Sequence, residues 1–293
     1  MGGPALKGPD SAGRTAPSGN LGRLAFGFLA VCAVSGFALV PFYSPERALD
    51  SLERIQGGLP WGFLLRAIHA FSGFGLLVAT IGHLLQVIAS RSERQLSRGM
   101  WWLSVLLLPL AVVALLGGFV LRADPEAVAA FAVWRRILQE IPLVGTELAR
   151  LTLGSLGDLG AVALHHAGTF TILLWIFTAA HGSRTLPDRR SVILAVLISA
   201  ALAGVLPLPL GSSASSGASS RLLRGPWYLL GLQGALVDLP AAVGWLGPLL
   251  LILLVGFLRD VPDRARRVLV ALMGTWVIVY IGFTVRLLLL ARR

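Results

Sequence analysis

The sequence is poor in cysteine and in charge. Its 293 residues contain one cysteine, Cys32, which excludes a disulfide framework and a multi-thiolate metal cluster. Asp, Glu, Lys and Arg together make up only 13% of the chain, whereas 56% of it is hydrophobic. A soluble domain does not have this balance. The composition therefore predicts an integral membrane protein.

Apolar runs long enough to cross a bilayer recur along the chain. A helix needs roughly 20 apolar residues to cross a hydrocarbon core of ~30 Å. Seven runs approach this length, near residues 24–43, 62–89, 101–121, 160–182, 191–210, 240–258 and 268–290. We therefore predict an all-α membrane protein with about seven spans.

Residues 1–22 are expected to form a disordered tail without a signal peptide. The Ser/Gly tract 211–220 is expected to form a flexible outer linker.

The formal charge of +11 comes almost wholly from arginine. In a membrane protein such an excess reports topology more often than nucleic-acid binding. Short segments after the second, fourth and sixth spans are rich in arginine, whereas the segments on the other side hold most of the acidic residues. The pattern predicts a cytoplasmic N-terminus, and we expect the chain to lie in the plasma membrane.

All five histidines lie inside two predicted spans. His69 and His83 belong to the second span, and His165, His166 and His181 belong to the fourth. An ionisable side chain within a span is costly and usually faces the bundle interior, where it has a task. A single buried histidine is most often a hydrogen-bonded core residue, but two pairs at matching intervals favour a shared function.

The intervals place the histidines on common helix faces. At ~100° and ~1.5 Å per residue, the 14 residues from His69 to His83 leave the two rings within about 40° of each other and ~21 Å apart along the axis. For His166 and His181 the values are about 60° and ~22 Å, whereas His165 points about 160° away from His181. Because the second and fourth spans run in the same direction, His69 should meet His166 near the outer face and His83 should meet His181 near the inner face.

A pair of histidines across a bundle suits a proton relay, a metal site or the two axial ligands of a haem. Zinc would find only half of its coordination sphere in such a pair. Haem needs only two axial positions and enough room for a flat macrocycle, which glycine provides. Small residues at the same 14-residue interval occur in the first span as Gly22 and Gly36 and in the third as Ser104 and Gly118. They also suit plain helix packing, but the shared interval favours two bis-histidine haems that carry electrons.

These residues resemble the cytochrome b family, the haem subunits of quinol:cytochrome c oxidoreductases, and more closely the plastid-type form. The resemblance covers residues 22–183 and continues weakly to the C-terminus. Its motifs, in chain order, are "SGFALVPFYSP", "WGFLLRAIH", "IGHLLQ", "GGF" at 117–119, "IPLVG" at 141–145 and "LHH". It implies a four-helix di-haem part at 23–183, fused to a three-helix part at 184–293 like the family's second component.

The resemblance also implies site residues. Two non-covalent haem b groups would have His69/His166 and His83/His181 as iron ligands, with the lower potential at the first pair. Arg66 would lie near a haem propionate, although a snorkelling role at the membrane surface also fits it. The outer quinol site would have Pro142 of "IPLVG" on one wall and Trp227 and Tyr228 of "GPWYLLGLQ" on the other.

Several family features are missing. The family's Pro-Glu-Trp-Tyr motif stands here as Gly225-Pro226-Trp227-Tyr228, without the glutamate that would accept a proton from quinol. Asp124, Glu140 and Asp238 are candidate substitutes. The extra covalent haem of plastid-type forms has no cysteine at its expected position, Asn20. At the inner side, the charges of Arg184, Asp188 and Arg189 fit solvated loops better than a quinone site.

The sequence thus predicts a di-haem cytochrome b subunit that takes electrons from quinol and moves them across the membrane. One cysteine supplies no iron-sulfur cluster and no haem c, so the partner would be a Rieske-type iron-sulfur protein or a c-type cytochrome, within a dimeric complex embedded in membrane lipid. An alternative is a non-bifurcating anchor that relays electrons between the quinone pool and a peripheral enzyme or multihaem cytochrome. A transporter or scaffold with histidines as a proton path is a third interpretation.

Overall fold

The computed structural model of the chain describes residues 19–155, 158–208, 210 and 223–290. The predicted tail up to residue 18 and the predicted linker at 211–220 lie outside the described residues. Residues 19–22, expected to belong to the tail, are helical instead, because the apolar helix that begins at Gly19 runs without a break to Leu39. The first span therefore starts about one turn earlier than predicted.

The regular structure of the described residues is helical throughout, which confirms the predicted all-α fold. Its α-helices are α1 (Gly19–Leu39), α2 (Ala48–Gly58), α3 (Gly62–Ser90), α4 (Arg98–Val120), α5 (Pro125–Gln139), α6 (Gly145–Leu153), α7 (Gly160–Leu164), α8 (Thr171–Gly182), α9 (Arg189–Val205), α10 (Leu230–Leu236), α11 (Val243–Phe257) and α12 (Asp263–Leu290). A π-helix at His165–Phe170 joins α7 to α8, so Gly160–Gly182 is one continuous span.

Five helical segments of the described chain are long and apolar enough to cross a membrane. They are Asn20–Phe42, Gly62–Ser90, Arg98–Val120, Gly160–Gly182 and Asp263–Leu290. The other two predicted spans correspond to α9 and α11, whose 17 and 15 residues are shorter than the predicted runs. At ~1.5 Å per residue these helices reach only about 26 and 23 Å. Pro207 follows the end of α9, where its ring and missing N–H disfavour further helix, and Pro240 precedes the start of α11.

Side-chain caps define where three of the helices begin. The Ser97 hydroxyl accepts a hydrogen bond from the Met100 amide at 3.3 Å at the start of α4. The Asp124 carboxylate accepts one from the Ala127 amide at 2.9 Å at the start of α5. Asp188 caps α9 in the same way, and its bonds from Ser191 lower the pKa of its carboxyl below the ordinary value. Such caps satisfy amides that have no partner within the helix.

The first four spans and α9 share one apolar core. Phe26 of α1 and Leu76 of α3 are buried in the same cluster as Ala195 of α9. A Cβ atom on Gly27 would lie 2.5 Å from the Ser191 carbonyl oxygen, so α1 and α9 approach at backbone distance. The three-helix part that was expected to begin at residue 184 therefore contributes its first helix to the bundle that precedes it.

The last helices are attached to the bundle through α4 and the loop before it. α11 packs on α4, where the Trp101 indole donates a hydrogen bond to the Gly256 carbonyl oxygen at 2.9 Å. Arg266, near the start of α12, donates to the Glu93 carboxylate at 2.8 Å, and both side chains are buried. These contacts hold α11 and α12 against the four-helix bundle.

Ion pairs between the α3–α4 and α11–α12 loops put both loops at one end of the bundle. Arg94 contacts Asp263 at 2.8 Å, and Arg98 contacts Asp260 at 3.1 Å. Successive spans cross the membrane in opposite directions, and an even number of them lies between the two loops. Both loops must therefore lie on the same side. Following the predicted orientation, we call this end inner and the opposite end outer.

Candidate functional site

The structure brings the four predicted histidines together as two pairs. The ring centres of His69 and His166 are 6.0 Å apart, with the ring planes at 88°. Those of His83 and His181 are 5.8 Å apart, at 67°. A metal–imidazole nitrogen bond is ~2.0 Å, so two rings bound to opposite sides of one ion have centres roughly 6 Å apart. Both pairs thus have the spacing that two axial ligands need.

Hydrogen bonds fix the orientation of three of the four rings through Nδ1. The three contacts are His69 to the Cys32 carbonyl oxygen at 2.9 Å, His166 to the Ala114 carbonyl oxygen at 2.8 Å, and His181 to the Ser104 hydroxyl at 2.6 Å. A carbonyl oxygen only accepts, so Nδ1 carries the proton and Nε2 keeps the lone pair that binds a metal. Second contacts of this kind are typical of histidine ligands.

Glycine lies directly against three of the rings. A Cβ atom would lie 3.0 Å from His83 Nε2 at Gly22, 2.8 Å from His69 Cε1 at Gly36, and 2.9 Å from His166 Cε1 at Gly118. Real Cβ contacts are essentially never as short as the values at Gly36 and Gly118, and the value at Gly22 is tighter than nine in ten of them. The glycines of the shared interval therefore keep open the space beside the histidines that a flat macrocycle between the helices requires.

The π-helix explains why the fourth span has one residue more between its histidines. His166 and His181 are 15 residues apart, against 14 for His69 and His83. A π-bulge takes up one extra residue in a helical turn. The π-helical segment His165–Phe170 begins one residue before His166 and continues toward His181. It therefore restores the register of about 40° and ~21 Å that the 14-residue interval gives in the second span.

A cavity of about 410 Å³ surrounds the outer histidine pair. Its lining includes His69, His166, the glycines of that pair and two arginines, Arg66 and Arg122. Arg66 is 7% exposed and donates to the Leu208 carbonyl oxygen at 2.9 Å. None of the lining residues within the described chain is an aspartate or glutamate. The outer site thus combines paired histidines with positive charge, which suits a ligand that carries carboxylates.

Two tyrosines also line this cavity. The Tyr43 hydroxyl donates to the Leu121 carbonyl oxygen at 2.9 Å. The Tyr228 hydroxyl is buried and has no hydrogen-bond partner within the described residues. Burial raises the pKa of Tyr228 above its ordinary value, and Tyr280 adds to this effect, so the hydroxyl stays protonated. Tyr228 therefore offers an unused hydrogen-bond donor to the cavity.

The other two predicted wall residues are placed differently. Trp227 is half exposed and packs edge-on against Phe74, a lining residue, with ring centres 6.1 Å apart. Pro142 is exposed and is not among the described residues that line the cavity. Only Tyr228 of the predicted quinol-site walls thus faces the cavity.

The three candidate substitutes for the missing glutamate are all paired with arginine. Asp124 contacts Arg122, Glu140 contacts Arg136 at 2.7 Å, and Asp238 contacts Arg286. None of these three carboxylates lines the outer cavity. Asp124 is linked to the cavity indirectly, because its partner Arg122 lines it.

His165 and the inner loop charges occupy the positions expected of them. His165 contacts the Thr169 hydroxyl and the Leu151 carbonyl oxygen, each at 3.0 Å, and belongs to neither pair. Arg184 and Arg189 are exposed.

Sequence reasoning did not identify Tyr43 or Arg122 as cavity residues. Neither belongs to a repeated interval, and the only signal was the position of each just beyond the outer end of a span.

The chain is thus a helical membrane protein whose bundle holds two pairs of facing histidines. A family model described as Cytochrome b/b6/petB matches residues 14–181, and the chain belongs to this family. A cytochrome b of Schizosaccharomyces octosporus is 31% identical over 140 residues, which cover 46% of this chain and 35% of that protein. A cytochrome b6 of Gracilaria tenuistipitata var. liui is 26% identical over 158 residues, or 53% of this chain and 74% of that protein.

A solved structure described as a hyperthermophilic respiratory Complex III has the same fold. It aligns with a TM-score of 0.67 and 19% identity, over 90% of this chain and 83% of that one. The fold likeness therefore extends beyond the residues matched by the family model, into the last helices.

Proposed function

We propose that this chain is the haem-carrying membrane subunit of a quinol oxidoreductase, with haem b at both histidine pairs. The observation that carries the proposal is the pair geometry: ring centres 6.0 and 5.8 Å apart, with glycine against three of the four rings. Family membership supports haem as the ligand. When bound, a haem with both axial positions filled supplies one-electron transfer without binding substrate at its iron.

The chain's own residues orient that group and balance its charge. His69 and His166 donate their Nδ1 protons to backbone carbonyls, which holds each ring in one rotamer with Nε2 toward the pocket. Arg66 places positive charge at the outer end of the cavity, where it would pair with a propionate carboxylate, whereas Arg122 is already paired with Asp124 and Glu126.

We place the quinol site beside the outer haem, at the part of the same cavity that Tyr228 lines. The Tyr228 hydroxyl would donate a hydrogen bond to a quinone oxygen, because burial keeps it protonated and leaves it without another partner in the described chain. A buried donor without a partner is costly, so a ligand oxygen there is stabilising. The redox partner would be a Rieske-type protein or a c-type cytochrome outside the membrane, and the two histidine pairs would hold the haems that supply the one-electron chemistry.

We further propose that the four-helix part and the following helices correspond to two family components fused in one chain, which works as a dimer in a larger complex. The fold likeness over 90% of the chain supports this arrangement. The N-terminus would lie in the cytoplasm and the complex in the plasma membrane, as the arginine distribution indicates.

A non-bifurcating relay between quinone and a peripheral redox protein is the second candidate. The observation in its favour is that no carboxylate lines the outer cavity within the described chain, and that Asp124, Glu140 and Asp238 are each paired with arginine. Quinol oxidation releases protons, and a paired carboxylate is a poor acceptor for them.

Anaerobic addition of a short-chain quinol to the purified chain tests the proposal. Reduction of both haems, slowed at least tenfold by Tyr228→Phe and unchanged in Thr275→Ala, an exposed position of α12, would support oxidation at the outer cavity. Equal rates in Tyr228→Phe and the parent protein would move quinol oxidation elsewhere and favour the relay. A colourless protein would return the chain to the transporter or scaffold class.

A further inference from the structure

The inner histidine pair differs from the outer one in the group that accepts the Nδ1 proton. Both outer histidines donate to backbone carbonyls, those of Cys32 and Ala114. His181 instead contacts a side chain, the Ser104 hydroxyl, at 2.6 Å. Ser104 occupies the position in the shared interval where the other three small residues are glycine. A glycine there would have no group to offer to the ring.

The direction of the bond follows from the second contact of the hydroxyl. Ser104 Oγ lies 2.7 Å from the Met100 carbonyl oxygen, one turn earlier in α4, and that oxygen can only accept. The hydroxyl hydrogen is therefore used toward Met100, and the oxygen is left to accept the His181 Nδ1 proton. A hydroxyl that donates one bond becomes a better acceptor for another.

We propose that Ser104 is a positioning residue that lowers the reduction potential of the inner haem. This inference rests on the proposed function. A strong acceptor at Nδ1 increases electron density on the imidazole and makes Nε2 a better donor to iron. The oxidised iron carries one more positive charge than the reduced iron, so it gains more from this donation, and the potential falls. The same bond holds the His181 ring in one orientation.

The test compares Ser104→Ala with Ser104→Thr in the purified, haem-loaded chain. Alanine removes the hydroxyl and keeps the Cβ atom, whereas threonine retains a hydroxyl that bonds back to the preceding turn. Ser90→Ala is the matched control, because Ser90 Oγ makes the same back-bond, to the Gln86 carbonyl oxygen at 2.8 Å, at the end of α3, where the hydrogen bonds of that hydroxyl within the described chain include no histidine. The readouts are haem content and the midpoint potential of each haem by optical redox titration.

We expect Ser104→Ala to keep two haems and to move one potential to a more positive value, with Ser104→Thr and Ser90→Ala unchanged. Loss of one haem in Ser104→Ala but not in Ser104→Thr would also support the hydroxyl contact. Unchanged potentials in Ser104→Ala, or loss of one haem in both Ser104 variants, would overturn the proposal, since the position would then act by packing alone. Absence of haem from the parent chain would overturn the proposed function together with this inference, so the two failures are distinguishable.

Discussion

Deleting one residue should have opposite consequences in the two spans that carry the histidines. Removal of Gly168, inside the π-helix, shortens the His166–His181 interval from 15 to 14 residues, and a regular α-helix then gives the register that the bulge now provides. Removal of Val78, in the α-helical second span, has no bulge to absorb it. We expect the first variant to keep two haems per chain and the second to lose at least one.

The structure gives the size of the effect. One residue corresponds to ~100° of rotation, and a histidine ring ~6 Å from the helix axis would move by about 9 Å. This displacement exceeds the 5.8 Å between the ring centres of the inner pair, so a deletion without compensation separates the rings. Val78 is 58% exposed, so its own side chain contributes little to the core.

Pyridine extraction of the haem, together with the reduced-minus-oxidised spectrum of each purified variant, measures the outcome. The parent chain at matched expression is the control. Two haems in the Val78 deletion, or loss of a haem in the Gly168 deletion, would refute the role assigned to the π-helix.

Three further outcomes follow from single side chains. Gly118→Val should remove one haem, because its Cβ would lie 2.9 Å from a histidine ring, whereas Gly282→Val, with no atom within 4 Å of the Cβ position, should keep both by pyridine assay. Arg266→Ala should destabilise the chain by about 3–5 kcal/mol in thermal or denaturant unfolding, since it leaves buried Glu93 unpaired, and Arg266→Ala with Glu93→Gln should recover part of this loss. The hydrogen bonds from Ser191 lower the pKa of Asp188. Its contribution is therefore fully present above the ordinary value of 3.8 and is lost as the pH falls through the lower folded value, and Asp188→Asn should flatten the fall of Tm in that range.

Periodic features of the chain were predictable from the sequence. The helical class follows from the length of the apolar runs, and the pairing of the histidines with small residues beside them follows from intervals of 14 and 15 residues, because the helical repeat fixes which residues share a face. The π-helix was not predictable in this way, since angles counted along an ideal α-helix place His166 and His181 about 60° apart.

Contacts between distant segments carry no periodic signal. The packing of α9 on α1 depends on Gly27 meeting the Ser191 backbone, and nothing in the spacing of either residue indicates the other. Arg122 follows the end of α4 and its own partners, Asp124 and Glu126, are local, but most residues that line the outer cavity with it come from other helices. Such contacts decide where the bundle ends and which charges face the site.

The most direct test of the central claim is the reduced-minus-oxidised spectrum of the purified chain, with haem quantified by pyridine extraction, repeated for His69→Ala and His181→Ala. The two-pair arrangement predicts two b-type haems in the parent chain and the loss of a different one in each variant. A parent chain without haem, or two haems retained in both variants, would contradict it.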